Sequence, residues 1–198
     1  MITPQTRLPL AESAGTLGGL PGHSLSSPVD SMSRFAFAVA RFSTSAWVGA
    51  AVLFVLNGVQ QVTSGKFESM VTDQLVLLRF PTYYVLGFSL VGAAFIGSAI
   101  SGEALSIRRR GAVLGLLGLA LVLMLFDYLV VYLPLAKMID PPGQPRPDGF
   151  CTLHRWSMII NTVDVGFVML GAVLLNWPHK VATDEKISFE NPNQSADK

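Results

Sequence analysis

The stretch FCTLHRWSMIINTVDVGFVMLGAVLLNW, residues 150–177, decides the fold class of this chain. It is an apolar run of about 25 residues, long enough for an α-helix to cross a bilayer. Yet it carries His154, Ser157, Asn161 and Asp164. At 100° per residue these four side chains fall within roughly 80° of arc. Because polar groups inside a span cost free energy when they face lipid, this stripe must face protein or water. The stretch therefore predicts a transmembrane helix that belongs to a bundle.

The composition indicates the same class for the whole chain. Of 198 residues, 51% are hydrophobic and only 14% are charged, and the mean hydropathy is +0.48. This balance suits a small multi-span membrane protein better than a soluble domain. A net charge of +1 leaves no basic surface for nucleic acid, so no nucleic-acid partner is expected. The single cysteine, Cys151, excludes an internal disulfide and any cysteine-rich metal site made by this chain alone.

Hydropathy divides the chain into four spans and two tails. Residues 1–34, rich in Pro, Gly, Ser and Thr, are expected to form a flexible tail, and the polar residues 178–198 a second one. The apolar residues 70–78 are compatible with a segment that lies along the membrane interface. The fold class that follows is all-α, an integral membrane four-helix bundle within residues 35–177. Its spans are predicted at about residues 35–62, 80–100, 111–135 and 153–177.

Two of the spans carry small residues at four-residue spacing. They are Ala93, Gly97 and Ser101 in the second span, and Gly111 and Gly115 in the third. Such faces let helices approach closely. We therefore expect close packing inside the bundle, or with another copy of the chain or another membrane protein, in addition to contact with the lipid bilayer. A structural helper subunit of a membrane complex is one hypothesis that this pattern supports.

The distribution of basic residues predicts the orientation. The side of the bundle expected to be cytoplasmic holds Arg34, Arg41, Lys180 and the triplet Arg108–Arg110. The opposite side holds a more scattered set: Lys66, Arg79, Lys137, Arg146 and Arg155. We therefore predict a multi-pass protein of the plasma (inner) membrane with both termini in the cytoplasm.

This topology gathers polar groups in the non-cytoplasmic half. Counted at 1.5 Å per residue from the outer helix ends, Asn57 lies about 8 Å deep, Asp127 and Asn161 about 12 Å, and Asp164 about 16 Å in a core of ~30 Å. Polar residues at one level of several helices predict a pocket that opens outward and binds a small ligand or relays protons. The candidate residues are Asn57, Arg79, Tyr83, Asp127, Tyr128, His154, Arg155, Asn161 and Asp164.

The same residues allow a structural interpretation. Amides inside spans often only join helices, by hydrogen bonds of roughly 0.6 to 2 kcal/mol, and this interpretation is favoured for Asn57 and the glutamines that follow it. Asp127 and Asp164 each need a proton or a partner. A salt-bridge network with Arg79 or Arg155 therefore competes with the ligand or proton site.

Asp127 and Asn161 have the same predicted depth on two consecutive helices. Helices joined by a short loop usually pack as antiparallel neighbours. We therefore expect a hydrogen bond from the Asn161 amide to the Asp127 carboxyl group if both face the seam.

His154 raises the hypothesis of a haem or copper ligand, since imidazole is a common ligand in helical bundles. The other histidines are His23 in the N-terminal tail and His179 at the opposite membrane face, so neither can join His154 at one haem. The sequence has no Gly-rich phosphate loop, nucleophile elbow or HExxH motif. A protein without enzymatic activity, metal or cofactor is therefore favoured. The alternative is a redox enzyme that uses haem or copper at His154.

Two motifs carry a resemblance to a known family. They are Arg79–Tyr84, RFPTYY, and Leu153–Arg155, LHR, with Ser157 and Asn161 after it. In these the chain resembles the four-helix membrane proteins of the domain of unknown function 4149 family, to which transmembrane-protein-205-like proteins are related. The resemblance covers roughly residues 42–177 and implies a four-span bundle without supplying an activity. A looser likeness to copper-resistance D proteins and membrane protoporphyrinogen oxidases belongs to the haem or copper alternative.

Overall fold

A computed structural model describes residues 28–102 and 105–178 of the chain. Within this part the chain is all-α, and each of its four long helices is apolar enough to cross a membrane. This confirms the predicted fold class and is compatible with a multi-pass membrane protein. The remaining residues, which include His23, His179 and most of both predicted tails, lie outside the described part. The helices are α1 (Pro28–Thr63), α2 (Ser69–Ile100), α3 (Ile107–Met138) and α4 (Phe150–Asn176).

The four helices form a closed ring. Each packs against the next along the chain, and α4 packs against α1. Trp47, Leu117 and Val168 are fully buried between them. The outside is apolar as well, since large side chains such as Phe42 and Leu78 are 73% and 71% exposed. An apolar surface of this kind suits contact with lipid tails.

Glycine sets the distance between α1 and α2. A Cβ atom added at Gly97 would lie 2.6 Å from the Ala36 carbonyl oxygen, so the two backbones meet at this point. Nearby, the Ser33 hydroxyl donates a 2.6 Å hydrogen bond to the Ser101 carbonyl oxygen. The predicted close-packing face is thus confirmed at Gly97. The face formed by Gly111 and Gly115 makes no such helix contact in the described part of the chain, because a Cβ atom at either position would meet no other atom there within 4 Å.

The helices extend further than the predicted spans. α1 begins at Pro28 rather than near residue 35, and α2 begins at Ser69 rather than near residue 80. Residues 70–78 therefore continue α2 and do not form a separate interfacial segment. One reason is Asp73, which is 1% exposed and pairs with Arg146 of the α3–α4 loop. It also accepts a 3.0 Å hydrogen bond from the Gly143 amide, so the loop holds the first turns of α2.

α3 contains a widened turn at the level of its acidic residue. The helix is α-helical over Ile107–Phe126, π-helical over Asp127–Tyr132 and α-helical again over Leu133–Met138. Pro134 lies just beyond the widened turn, and a proline ring clashes with the carbonyl group four residues earlier. A π-helical turn relieves such a clash without ending the helix. It also re-aims the side chain of Asp127, the first residue of this turn.

Arginines close one end of the bundle. The Arg41 Nε group donates a 2.8 Å hydrogen bond to Asn176 Oδ1. Arg109 donates to the carbonyl oxygens of Leu174 and Trp177, the second at 2.6 Å. Because the last carbonyl groups of a helix lack partners within it, Arg109 caps α4. The other end of the bundle, where α1 and α3 finish, holds the polar groups described below.

Candidate functional site

Asp127 is the centre of a buried hydrogen-bond network. It is 1% exposed, and all its hydrogen bonds reach one carboxyl oxygen, Oδ2. The donors are the Tyr84 hydroxyl at 2.5 Å, the Asn161 amide at 2.6 Å and the Ser157 hydroxyl at 3.3 Å. The other oxygen, Oδ1, is buried and has no hydrogen-bond partner in the described part of the chain. Asp127 thus joins α2, α3 and α4 through a single atom.

Asn161 links this network to a second tyrosine. Its Nδ2 group donates to Asp127 and also to the Ser157 carbonyl oxygen at 3.0 Å. Its Oδ1 atom accepts a 3.3 Å hydrogen bond from the Tyr83 hydroxyl. The amide is therefore oriented by contacts on both of its ends, with its donor end toward α3 and its acceptor end toward α2.

A second acid is buried without a cation. Asp164 is 2% exposed, and its Oδ1 atom lacks a partner among the described residues. The indole N–H of the fully buried Trp47 also lacks an acceptor there. An unpaired carboxylate in an apolar interior is costly. The centre of the bundle therefore holds two acids that a proton or a ligand must neutralise.

Of the two interpretations of these acids, the salt-bridge network with Arg79 or Arg155 is not formed among the described residues. Arg79 donates instead to Gln61 Oε1 at 2.5 Å and to the Phe54 carbonyl oxygen at 3.1 Å. Arg155 is exposed. Over residues 28–102 and 105–178, neither Asp127 nor Asp164 forms an ion pair. The reason is placement, because the Arg79 side chain turns toward α1 and Arg155 is exposed in the first turns of α4.

A cavity of about 420 Å³ opens between α1 and α4, in the half of the bundle where α1 ends and α4 begins. This volume is in the range of small-molecule sites. Its lining is mostly aliphatic and aromatic, and one wall carries His154, Ser157, Asn161 and Tyr83. The sequence predicted a polar pocket at this level. The structure has instead an apolar cavity with polar groups on one wall, because the two acids lie behind that wall.

Four aromatic rings form part of the cavity lining. Phe80 and Tyr132 stack with ring centroids 5.6 Å apart, and Phe54 contacts Tyr83 at 4.5 Å and Phe80 at 5.1 Å. All four rings line the cavity. Aromatic side chains that pack on one another have little freedom to move. The lining therefore includes a preformed aromatic cluster in addition to its hydrogen-bonding groups.

The other predicted site residues lie elsewhere. Asn57 is exposed. Tyr128 packs against the rings of Tyr84 and Tyr132 at 5.0 Å and 5.7 Å, and it does not line the cavity. The site thus includes Tyr83, His154 and Asn161 directly and Asp127 through its hydrogen bonds.

His154 lies at the rim of the cavity. It is exposed, and its ring stacks on Phe150 with centroids 5.9 Å apart. Among the described residues, no cluster of three or more His, Cys, Asp and Glu side chains is placed to hold a metal ion. A haem or copper group at His154 would therefore need its other ligands from elsewhere.

Two residues of the site are missing from the predicted set. Tyr84 belongs to the RFPTYY segment. Ser157 belongs to the polar stripe of α4 by its spacing, but it is not included among the candidate site residues. Both reach Asp127, at 2.5 Å and 3.3 Å. The signal that would have found them is the need of a buried carboxyl group for hydroxyl donors on neighbouring helices.

No family model, curated protein or solved structure matches this chain. The function of the site must therefore be argued from its geometry.

Proposed function

We propose that this chain is a non-enzymatic integral membrane protein that binds a small amphiphilic molecule in the cavity between α1 and α4. The observation that carries the proposal is a lining that combines packed aromatic and aliphatic side chains with the hydrogen-bonding groups of Tyr83, Ser157 and Asn161. A ligand with an apolar body and one polar end matches both kinds of lining residue.

The polar end of the ligand is expected to be uncharged. Among residues 28–102 and 105–178, no Lys, Arg, Asp or Glu side chain lines the cavity, and a buried charge without a partner is costly. The hydroxyl groups of Tyr83 and Ser157 donate to Asn161 and Asp127, and the Asn161 amide nitrogen donates to Asp127 and Ser157. What remains for a ligand is acceptor capacity on these oxygens, so the polar end of the ligand should be a donor. A long-chain alcohol or phenol has this chemistry.

The ligand is expected to enter from the bilayer. Val55, Leu56 and Met158 line the cavity and are 58%, 55% and 51% exposed on the outer surface of the bundle. In a membrane this apolar rim faces lipid. We infer from the arginine distribution that the cavity lies in the non-cytoplasmic half of a plasma-membrane protein with cytoplasmic termini. We also propose, on the two motifs alone, a relationship to the domain of unknown function 4149 family.

A matched pair of variants tests the proposal. Thr162 lines the cavity and is exposed. Its one side-chain hydrogen bond among the described residues, of 2.7 Å, goes to the Met158 carbonyl oxygen of the same helix. Thr162→Trp should fill the cavity from its rim. Val163→Trp is the control, because Val163 is 43% exposed on the same helix and does not line the cavity.

The measurement is native mass spectrometry of the full chain purified in mild detergent, followed by extraction of the bound lipophilic molecule. Wild type and Val163→Trp should carry one such species, and Thr162→Trp should lose it. Equal occupancy in all three proteins would overturn the proposal. A Soret band or stoichiometric copper in the same preparation would instead support the redox alternative at His154.

A second candidate is a helper subunit that packs against another membrane protein. It is favoured by Gly111 and Gly115, which are exposed and have open space where a side chain would project. Gly111→Leu should then release a co-purifying partner while the four helices remain folded. Retention of every partner by this variant would remove the candidate.

A further inference from the structure

Arg79 lies in a second groove, between α1 and α2. The groove has a volume of about 340 Å³. It is lined by Trp47, Leu78, Arg79, Thr82 and Leu86. Its three other lining residues also line the first cavity or lie next to it. Leu78 and Leu86 are 71% and 43% exposed, so the groove opens on the outer surface of the bundle. It is distinct from the α1–α4 cavity, whose lining does not include Arg79.

The guanidinium group of Arg79 is held in place on α1. It donates to Gln61 Oε1 at 2.5 Å and to the Phe54 carbonyl oxygen at 3.1 Å. Its central carbon lies 4.7 Å from the centroid of the Phe54 ring. The side chain is thus fixed by two hydrogen bonds and a cation–π contact, and it does not extend freely into solvent.

The charge of Arg79 has no counterion in the described part of the chain, because both hydrogen-bond acceptors are neutral and no acid pairs with it. An arginine side chain is always protonated and has five N–H donors, of which two are used here. The Gln61 Nε2 group beside it is buried and also lacks an acceptor among residues 28–102 and 105–178. The site therefore combines a fixed positive charge with unused donors, and what it lacks is an anion.

The position of Arg79 along the bundle indicates which kind of anion can reach it. The span Ser31–Thr63 has 33 residues. At 1.5 Å per residue it is about 50 Å long, which exceeds a hydrocarbon core of ~30 Å and leaves roughly 10 Å beyond the core at each end. Gln61 is about 3 Å from the end of α1 by the same count. The guanidinium group that bonds Gln61 thus lies near the level of lipid headgroups.

We propose that this groove binds one anionic phospholipid, with its phosphate group on Arg79 and an acyl chain along Leu86. Arginine binds phosphate oxygens through paired N–H groups, and the three unused donors suit this contact. The apolar floor below Arg79 suits the chain of the same molecule. The site is independent of the proposed cavity ligand, which is uncharged and lies on the other side of Phe54 and Tyr83.

The test is a titration of the full chain in detergent, followed by native mass spectrometry. The probes are phosphatidylglycerol and phosphatidylcholine with identical acyl chains. Wild type should bind one phosphatidylglycerol in preference to phosphatidylcholine. Arg79→Gln should weaken that binding by about tenfold or more, the scale of a lost hydrogen-bonded charge, and Arg79→Lys should weaken it less. Arg155→Gln is the control, because Arg155 is an exposed arginine near the same end of the bundle.

Thr82→Trp provides a second variant that leaves the charge in place. Thr82 is exposed and lines the groove, so a tryptophan there should block the acyl chain and lower phosphatidylglycerol binding. Unchanged binding in both Arg79→Gln and Thr82→Trp would overturn the proposal, as would an equal loss in Arg155→Gln. Displacement of the lipid by inorganic phosphate at similar concentration would show a small-anion site and also overturn it. Thr162→Trp should leave lipid binding unchanged, which separates this test from that of the cavity ligand.

Discussion

The Asn161 side-chain amide on α4 donates a hydrogen bond of 2.6 Å to the Asp127 Oδ2 atom on α3. This confirms the pairing expected from their equal depth on two consecutive helices. The bond has an additional role, because Asn161 also lines the cavity and accepts from Tyr83. Asn161 therefore places Asp127 one hydrogen bond away from any molecule in the cavity.

The first prediction compares the removal of each partner. If Asp127 is a functional proton or ligand site, Asp127→Leu should lower the free energy of unfolding less than Asn161→Leu, which should cost about 1–3 kcal/mol. The carboxyl group is held without a cation and with Oδ1 unpartnered among the described residues, and functional groups are commonly retained at a cost to stability. Denaturant unfolding in detergent measures the free energy of unfolding of both variants. The reverse order would assign Asp127 a structural role only.

The second prediction concerns the shortest hydrogen bond of the network. Tyr84→Phe removes the 2.5 Å bond to Asp127 and leaves the ring in place, so we expect a loss of about 1–3 kcal/mol. Tyr128→Phe is the matched control. Its ring packs on Tyr84 at 5.0 Å, and its hydroxyl group makes no hydrogen bond within the described residues. An equal effect of both substitutions in thermal unfolding would contradict the importance of the Asp127 bond.

The third prediction tests the contact between α1 and α2. Gly97→Ala places a Cβ atom 2.6 Å from the Ala36 carbonyl oxygen, and since backbone atoms cannot move aside cheaply we expect a loss of about 1–3 kcal/mol. Gly92→Ala on the same helix meets nothing within 4 Å. It should be neutral or stabilise the helix by up to about 1 kcal/mol. Similar melting temperatures for the two variants would show that the helices separate without cost.

The four-helix architecture could be predicted because it depends on local properties of the sequence. Long apolar runs identify spans, and the polar stripe of α4 identifies the face that turns inward. The Asp127–Asn161 bond followed from depth alone. The start of α2 at Ser69 could not be predicted in this way, because it depends on the contact of Asp73 with Arg146, 73 residues away along the chain.

The site was predicted only in part, since helix rotation is set by packing and not by hydropathy. The sequence offered Arg79 as a possible partner of the acids, but its side chain turns to α1 and bonds Gln61 and the Phe54 carbonyl group. The π-helical turn at Asp127 also changes which residues of α3 face inward. Its cause, a proline seven residues further along, is visible in the sequence, but a proline alone does not specify a widened turn.

The last prediction fixes the orientation of the cavity relative to the membrane. Cys151 is exposed at the first turn of α4, in the half of the bundle that holds the cavity, and it is the single cysteine of the sequence. In intact cells, a membrane-impermeant thiol reagent should therefore label it from outside if this half is non-cytoplasmic. The Cys151→Ser variant, which has no cysteine, is the negative control for labelling. Arg108→Cys in that background moves the thiol to an exposed position at the opposite end, where labelling should require lysed cells. If Cys151 reacts only after lysis and the Arg108→Cys variant reacts without it, the bundle is inverted and the cavity opens toward the cytoplasmic leaflet.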